Sequence, residues 1–238
     1  MSERTEFTLE TDISSTGQAA DADPRGMRLV ARLLSIPVRQ RLVAAIRSGR
    51  LREIDCIDLL AEENLPQLAR RGAWLLAVAT VGFVGLDVAA SIVHRASPLP
   101  GGSAALQIGA VIAGNIAGYV VMVPVHEAVH AAMILALSGR PRFGLKLPFA
   151  AYCTAPDQLF TRNGYIAVAL APLVALTAAG IVATWLAPHV GAYLVLGLAG
   201  NVSGAVGDLV AVERLRRLPA RALIADTQVG YTAYQASE

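Results

Sequence analysis

The sequence has little charge and almost no cysteine, and both shortages exclude whole classes of protein. Only 16% of the 238 residues are charged, against about 25% in an ordinary soluble domain. The acidic residues between positions 72 and 212 are Asp87, Glu127, Asp157 and Asp208. A chain that is soluble throughout is therefore excluded. Because the only cysteines are Cys56 and Cys153, a secreted scaffold held by several disulfides is excluded as well.

The charge that is present lies mainly near the N-terminus, where eleven of the twenty Lys and Arg residues fall within the first 71 positions. Residues 1–25 have few large apolar side chains, so we expect a disordered tail. Residues 26–71 combine apolar residues at helical spacing with many arginines. This pattern favours either a cytoplasmic helical pair or an amphipathic segment lying on anionic lipid, and the sequence does not separate the two.

Four long apolar stretches follow, each at least as long as the ~20 residues that a helix needs to cross ~30 Å of hydrocarbon. They are residues 72–93, 104–137, 165–187 and 192–212. Because lipid offers the backbone no hydrogen bonds, we predict four transmembrane helices and an all-α membrane domain over residues 72–215. Residues 216–238 are predicted to be a cytoplasmic tail.

Orientation follows from the positive residues, since nineteen of the twenty Lys and Arg fall on one side of this arrangement. Arg95 alone lies in the two loops on the other side. The positive-inside rule then places both termini in the cytoplasm. We expect a multi-pass protein of the cell membrane, with the lipid bilayer as a partner and no nucleic acid.

The cytoplasmic loop between the second and third apolar stretches contains two short runs suited to strands, residues 143–147 and 149–154. Pro148 separates them and favours a hairpin or re-entrant loop. An exposed strand edge can pair with an extended peptide by strand addition. The loop is therefore a candidate for binding a protein or peptide substrate.

The second apolar stretch contains three titratable residues in the pattern His126-Glu127-x-x-His130. Each would cost at least ~2.5 kcal/mol in hydrocarbon without a partner or a function. Two histidines four apart share one helix face, as one Zn²⁺ requires, while Glu127 points about 100° away, beside the metal. The pattern indicates two metal ligands with a general base. A structural alternative is a pair of histidines hydrogen-bonded to neighbouring helices.

A catalytic zinc needs a third protein ligand, and Asp208 in the fourth stretch matches the membrane depth of the two histidines. His94, His189 and Asp87 lie nearer the opposite edge. Asn201 lies seven residues before Asp208 on the same helix face. We predict that its amide donates a hydrogen bond to a substrate carbonyl or oxyanion; a helix-packing amide is the alternative.

These residues, together with the β-type loop, resemble those of the integral-membrane zinc peptidases of the site-two protease clan, and in particular the membrane proteins described as zincin peptidases. The resemblance spans roughly residues 104–212. It implies a zinc metallopeptidase with His126, His130 and Asp208 on the metal, Glu127 as general base, and hydrolysis of a peptide bond in or near the membrane. The Leu-Asp-Gly run usual in that clan reads Gly207-Asp208-Leu209 here.

Two other functions remain open on sequence grounds. One is a metal-binding scaffold without hydrolytic activity, which tethers or presents a client protein. The other is a small transporter that uses Asp87, Glu127 and Asp208 as a proton or cation relay. Against the transporter, the first two apolar stretches do not mirror the last two in motif or charge.

Overall fold

The computed structural model of the protein describes residues 44–96, 103–146, 150–156, 158–227 and 229–237. The predicted disordered tail, residues 1–25, and the arginine-rich part of the predicted helical segment up to residue 43 lie outside the described residues.

Within the described residues, four helical segments are long and apolar enough to cross a membrane, as predicted. Their mean hydropathy reaches 1.6 to 2.4 over 18-residue windows, and at most 39% of any window is buried inside the protein. Apolar side chains therefore cover the outside of the bundle, as a lipid-facing surface requires. The helices are α1 (Leu65–His94), α2 (Ala104–Ala136), α3 (Arg162–Leu186), and α4 (Pro188–Gly204) followed by α5 (Val206–Leu215).

The fourth apolar stretch is not one continuous helix, because the chain turns at Ala205 between α4 and α5. Ala205 has φ −69° and ψ 4°, close to the bridge region that ends regular helices. The break puts Asp208 in the first turn of α5, where the helix dipole favours a carboxylate.

Close contact between α2 and α4 depends on glycine. A Cβ atom on Gly197 of α4 would lie 2.9 Å from the carbonyl oxygen of Gly118 in α2, so a larger residue would force the helices apart. Asn115 joins the same helices, because its amide donates to the Ala192 carbonyl at 2.8 Å and accepts from the Leu196 amide at 2.8 Å. These contacts fix α2 against the helix that leads to Asp208.

The protein is mostly helical, as predicted, but strands make up more of it than the single β-type loop that was predicted. The predicted hairpin between α2 and α3 is confirmed, with two antiparallel strands. A second, four-stranded sheet has the order β1-β6-β5-β4. The strands are β1 (Leu51–Asp58), β2 (Arg142–Lys146), β3 (Ala150–Thr154), β4 (Leu159–Thr161), β5 (Leu223–Asp226) and β6 (Gly230–Ala236).

The helical prediction for residues 26–71 is wrong at β1, because a bulge interrupts the alternation that would identify a strand. Ile54 is the extra residue between Glu53 and Asp55, where the pairing with β6 shifts register. On either side of a bulge the strand reverses its faces. Leu51 consequently packs in a cluster with Leu159 and Leu223, whereas Ile57 packs in the other cluster.

The predicted C-terminal tail also belongs to the sheet, where it supplies β5 and β6. Tyr231 and Ala233 alternate along β6 and are fully buried. They share a core with Ile134 of α2 and Leu215 of α5. Since Ile134 lies one helical turn beyond His130, the sheet covers the end of the bundle that contains the three predicted metal ligands.

Polar contacts tie the sheet to the helices at this end. The guanidinium of Arg214 in α5 pairs with Asp55 of β1. The Tyr231 hydroxyl donates to the second oxygen of the same carboxylate at 2.7 Å. Burial and the neighbouring Asp55 raise the pKa of Tyr231 above its usual value, so the phenol stays a hydrogen-bond donor.

Candidate metal centre

The two histidines of the H-E-x-x-H pattern lie one turn apart on the inner face of α2. Both are buried, with 9% and 8% of their surface exposed. Their ring centroids are 5.0 Å apart and the rings are nearly perpendicular. A helix brings positions i and i+4 together in this way, so the pair follows from the sequence spacing.

Asp208 approaches the same point from α5. Its Oδ2 atom is 3.4 Å from the Nε2 atom of His126 and 3.5 Å from the Nε2 atom of His130. One ligand atom from each of the three residues lies within 4.8 Å of the other two. The predicted convergence of these distant residues is therefore found in the structure.

The opposite nitrogen of each ring fixes which nitrogen carries the proton. The Nδ1 atom of His130 is 2.9 Å from the carbonyl oxygen of Val168, which can only accept a hydrogen bond. The Nδ1 atom of His126 is 2.9 Å from the amide oxygen of Asn201. In the neutral rings Nδ1 therefore carries the hydrogen, and the Nε2 lone pairs face Asp208.

The Val168 carbonyl is free to accept this bond because of a proline. In a regular helix, the residue four positions later would donate its N–H to Val168, but that residue is Pro172, which has none. Pro172 thus frees an acceptor at the position where His130 needs one. The sequence contained this signal, a proline inside an apolar helix, and the sequence analysis missed it.

Asn201 contacts His126 and also lines the smaller of two cavities at the site. It is only 2% exposed, and its amide nitrogen points away from His126, towards the Pro172 carbonyl at 3.5 Å and the Thr177 hydroxyl at 3.4 Å. Its oxygen accepts the hydrogen bond of a candidate metal ligand. This geometry favours a role in orienting His126, whereas a hydrogen bond to a substrate stays a prediction.

The donor set fits a zinc ion. Two imidazole lone pairs and one carboxylate oxygen converge, and three acceptors facing one another repel unless a cation lies between them. Ligands at about 2.05 Å from a tetrahedral ion are about 3.3 Å apart, close to the 3.4 and 3.5 Å observed. Two nitrogens and one oxygen are also the ligand types of a catalytic zinc site with one open position.

Glu127 lies beside this group of ligands, on the side that faces open space. Its side chain is half-buried, and the backbone of Cys153 in β3 lies within reach of its carboxylate. A cavity of about 590 Å³ and a second of about 190 Å³ meet here, because Glu127, His126 and Ala151 line both. The carboxylate can therefore contact a molecule in either cavity.

The larger cavity is also lined by a half-buried carboxylate that the sequence analysis missed, Asp226 at the end of β5. Its Oδ2 atom accepts from the Ala155 amide at 2.7 Å, and its Oδ1 atom is 2.8 Å from the Tyr165 hydroxyl, which also lies 3.1 Å from the Gly230 carbonyl. Burial raises the pKa of Asp226 to about 6. The Tyr165 hydroxyl donates to Asp226, and the Gly230 carbonyl is a second acceptor for the same hydrogen.

Comparison with known proteins agrees with this geometry. Residues 119–223 match the model of a family described as "Putative zincin peptidase". The three candidate ligands, Glu127 and Asn201 all lie within the match, whereas Asp226 lies beyond it. No curated protein and no solved structure matches the chain. The predicted resemblance to zincin peptidases is thus confirmed for residues 119–223.

Proposed function

We propose that this protein is an intramembrane zinc metallopeptidase that hydrolyses a peptide bond of a membrane-embedded or membrane-proximal protein. The observation that carries the proposal is the convergence of His126, His130 and Asp208, with Glu127 at the edge of the same group. Two of the three ligands lie on a helix that is long and apolar enough to span a membrane. The family match supports the reaction class.

Each residue of the metal centre has a separate role in the proposed reaction. The two imidazoles and the Asp208 carboxylate would hold the metal, with Asn201 and the Val168 carbonyl fixing the rings. A bound zinc supplies a Lewis acid that activates water near neutral pH. Glu127 faces the cavities, where its carboxylate can take a proton from the attacking water and return it to the leaving amine.

The hairpin gives the substrate a surface on which to bind. Ala151, Tyr152 and Cys153 of β3 line the larger cavity together with Glu127. Among the described strands, β3 pairs with β2 alone. We propose that an extended substrate peptide pairs with β3 and crosses Glu127 from one cavity to the other.

Membership of the site-two protease clan and a cytoplasmic site are parts of the same proposal. The hairpin carries Arg140, Arg142 and Lys146, and positive residues favour the cytoplasmic side. The run Gly207-Asp208-Leu209 differs from the usual clan pattern, yet Asp208 occupies the position of a third ligand.

The decisive comparison is Glu127→Gln against Glu213→Gln in full-length protein. Glu213 is an exposed glutamate whose carboxylate pairs with Arg71, so its substitution changes charge equally without touching the metal centre. With a transmembrane reporter protein or casein as substrate, we expect Glu127→Gln to retain one zinc per chain and lose cleavage, while Glu213→Gln cleaves normally. Undiminished turnover by Glu127→Gln would contradict the general-base assignment. Zinc binding by the wild type without cleavage would favour the scaffold alternative.

A further inference from the structure

Three buried polar side chains lie together at the end of the bundle away from the metal centre. Asp87 and Ser91 lie on α1 and Thr184 lies on α3, with 7%, 8% and 1% of their surface exposed. Among the described residues, Asp87 Oδ1, Ser91 Oγ and Thr184 Oγ1 have no hydrogen-bond partner. Arg71, which joins α1 to α5 near the metal centre, is sixteen residues from Asp87, or about 24 Å along the helix. The cluster is therefore separate from the proposed active site.

The contacts of Gly191 show that two of these side chains are neighbours. A Cβ atom on Gly191 would lie 2.4 Å from Asp87 Oδ1 and 2.7 Å from the Thr184 methyl carbon. Those two atoms are thus at most about 5 Å apart. Ser91 lies one turn from Asp87 on the same helix face. The absence of a side chain at Gly191 lets α4 pack closely against Asp87 and Thr184, because a Cβ atom there would clash with both.

Three such groups cannot remain unpaired at no cost. An unpaired buried hydroxyl destabilises the folded state, and an unpaired buried carboxylate destabilises it more. The described residues form no ion pair with Asp87, so its charge is not compensated by Lys, Arg or His. Because the three groups do not hydrogen-bond to one another, a small species between them is the arrangement that satisfies all three.

Charge and ligand chemistry point to a monovalent cation. Carboxylate and hydroxyl oxygens are hard ligands, and a single positive charge neutralises one carboxylate, whereas a divalent ion would leave a net charge in the apolar bundle. Helices α1 and α3 both end at this site, and helix C-termini favour cations. Helix α4 begins here, and its N-terminus favours the ionised form of Asp87.

We propose that Asp87, Ser91 and Thr184 form a binding site for Na⁺, which joins α1 to α3 at the end of the bundle opposite the metal centre. Bound Na⁺ stabilises the folded bundle by mass action, since the unfolded chain has no such site. The site is independent of peptidase activity.

The test measures the melting temperature of the full-length, zinc-loaded protein in detergent as sodium chloride replaces choline chloride at constant ionic strength. For the wild type we expect a saturable rise on the order of 5 to 10 °C at a sodium concentration 100-fold above the dissociation constant. Asp87→Asn should lose the sodium response and melt above the wild type in choline, because no uncompensated charge remains. Thr184→Val should need several-fold more sodium for the same effect.

Ser203→Ala is the matched control, because its hydroxyl joins α4 to α1 through the Gly72 carbonyl at 3.0 Å, away from the proposed site. It should keep the full sodium response. Equal melting temperatures of the wild type in sodium and choline would overturn the proposal, as would a sodium response unchanged in Asp87→Asn. A response to Ca²⁺ but not to Na⁺ would overturn the monovalent assignment. If Asp87→Asn does not fold, Thr184→Val provides the test. A half-saturating sodium concentration equal to that of the wild type would then overturn the proposed sodium site.

Discussion

The role of Asn201 can be tested by removing its hydrogen bond to His126 while keeping its volume. In Asn201→Leu the side chain still fills a site that is 2% exposed, but no oxygen accepts from the imidazole 2.9 Å away. The ring then loses the contact that fixes its tautomer and orientation. Loss of such an outer partner typically lowers metal affinity 10- to 100-fold, equivalent to about 1.4–2.8 kcal/mol.

The assay is the zinc dissociation constant, measured by competition with a chromophoric chelator. Asn115→Leu is the control, since Asn115 also joins α2 to α4 by two hydrogen bonds of 2.8 Å but does not contact the histidines. We expect both variants to melt below the wild type and only Asn201→Leu to bind zinc more weakly. Wild-type zinc affinity in Asn201→Leu, or an equal loss in Asn115→Leu, would refute the orienting role.

Two further predictions concern residues that act on the site from other elements. Pro172→Ala restores a backbone N–H that competes with His130 for the Val168 carbonyl. We therefore expect zinc affinity to fall, even though alanine favours a helix more than proline does. Unchanged zinc affinity in the chelator assay would show that this carbonyl does not hold the imidazole ring. Asp226 has its pKa raised from 3.8 to about 6 by burial, so the folded protein binds its proton more tightly than the unfolded chain does. Its contribution to stability is complete below about pH 4 and is lost as the pH rises through about 6, by up to about 1.4 kcal/mol per pH unit. Asp226→Asn mimics the protonated carboxyl and should melt above the wild type at pH 7 but level with it at pH 4; melting curves with the same pH dependence in both proteins would contradict this.

The four long apolar helices could be predicted because their signals are local. Apolar length alone identified the four helices that are long enough to cross a membrane, and the spacing of His126 and His130 fixed their common face. Asp208 followed from matching depths along two helices. The break at Ala205 carries no proline, and nothing in its local sequence separates it from the helix on either side.

The four-stranded sheet could not be predicted in the same way because its pairing is non-local. β1 pairs with β6, and the paired residues Leu51 and Ala236 are 185 residues apart in the sequence. The bulge at Ile54 also gives β1 an apolar spacing of three, which is typical of a helix. In β6 the alternation of Tyr231, Ala233 and their neighbours was visible, but a strand needs a partner, and the sequence does not show which one.

The hydrogen-bond partners of His126 and His130 could not be predicted from the sequence either. That Asn201 faces His126 depends on the contact between α2 and α4, and that Val168 faces His130 depends on the contact between α2 and α3. Periodicity places a residue on a face of its own helix and does not say which neighbour that face contacts. Pro172 was the one sequence signal for a free carbonyl at this depth.

The central claim is that zinc is held by His126, His130 and Asp208, and X-ray absorption at the zinc K-edge of the purified wild-type protein tests it most directly. We predict one zinc per chain with two imidazole signatures, only nitrogen and oxygen neighbours, and a mean ligand distance of about 2.0–2.1 Å. A sulfur neighbour at about 2.3 Å, which would have to come from a residue such as Cys153, or a zinc without imidazole ligands, would contradict it.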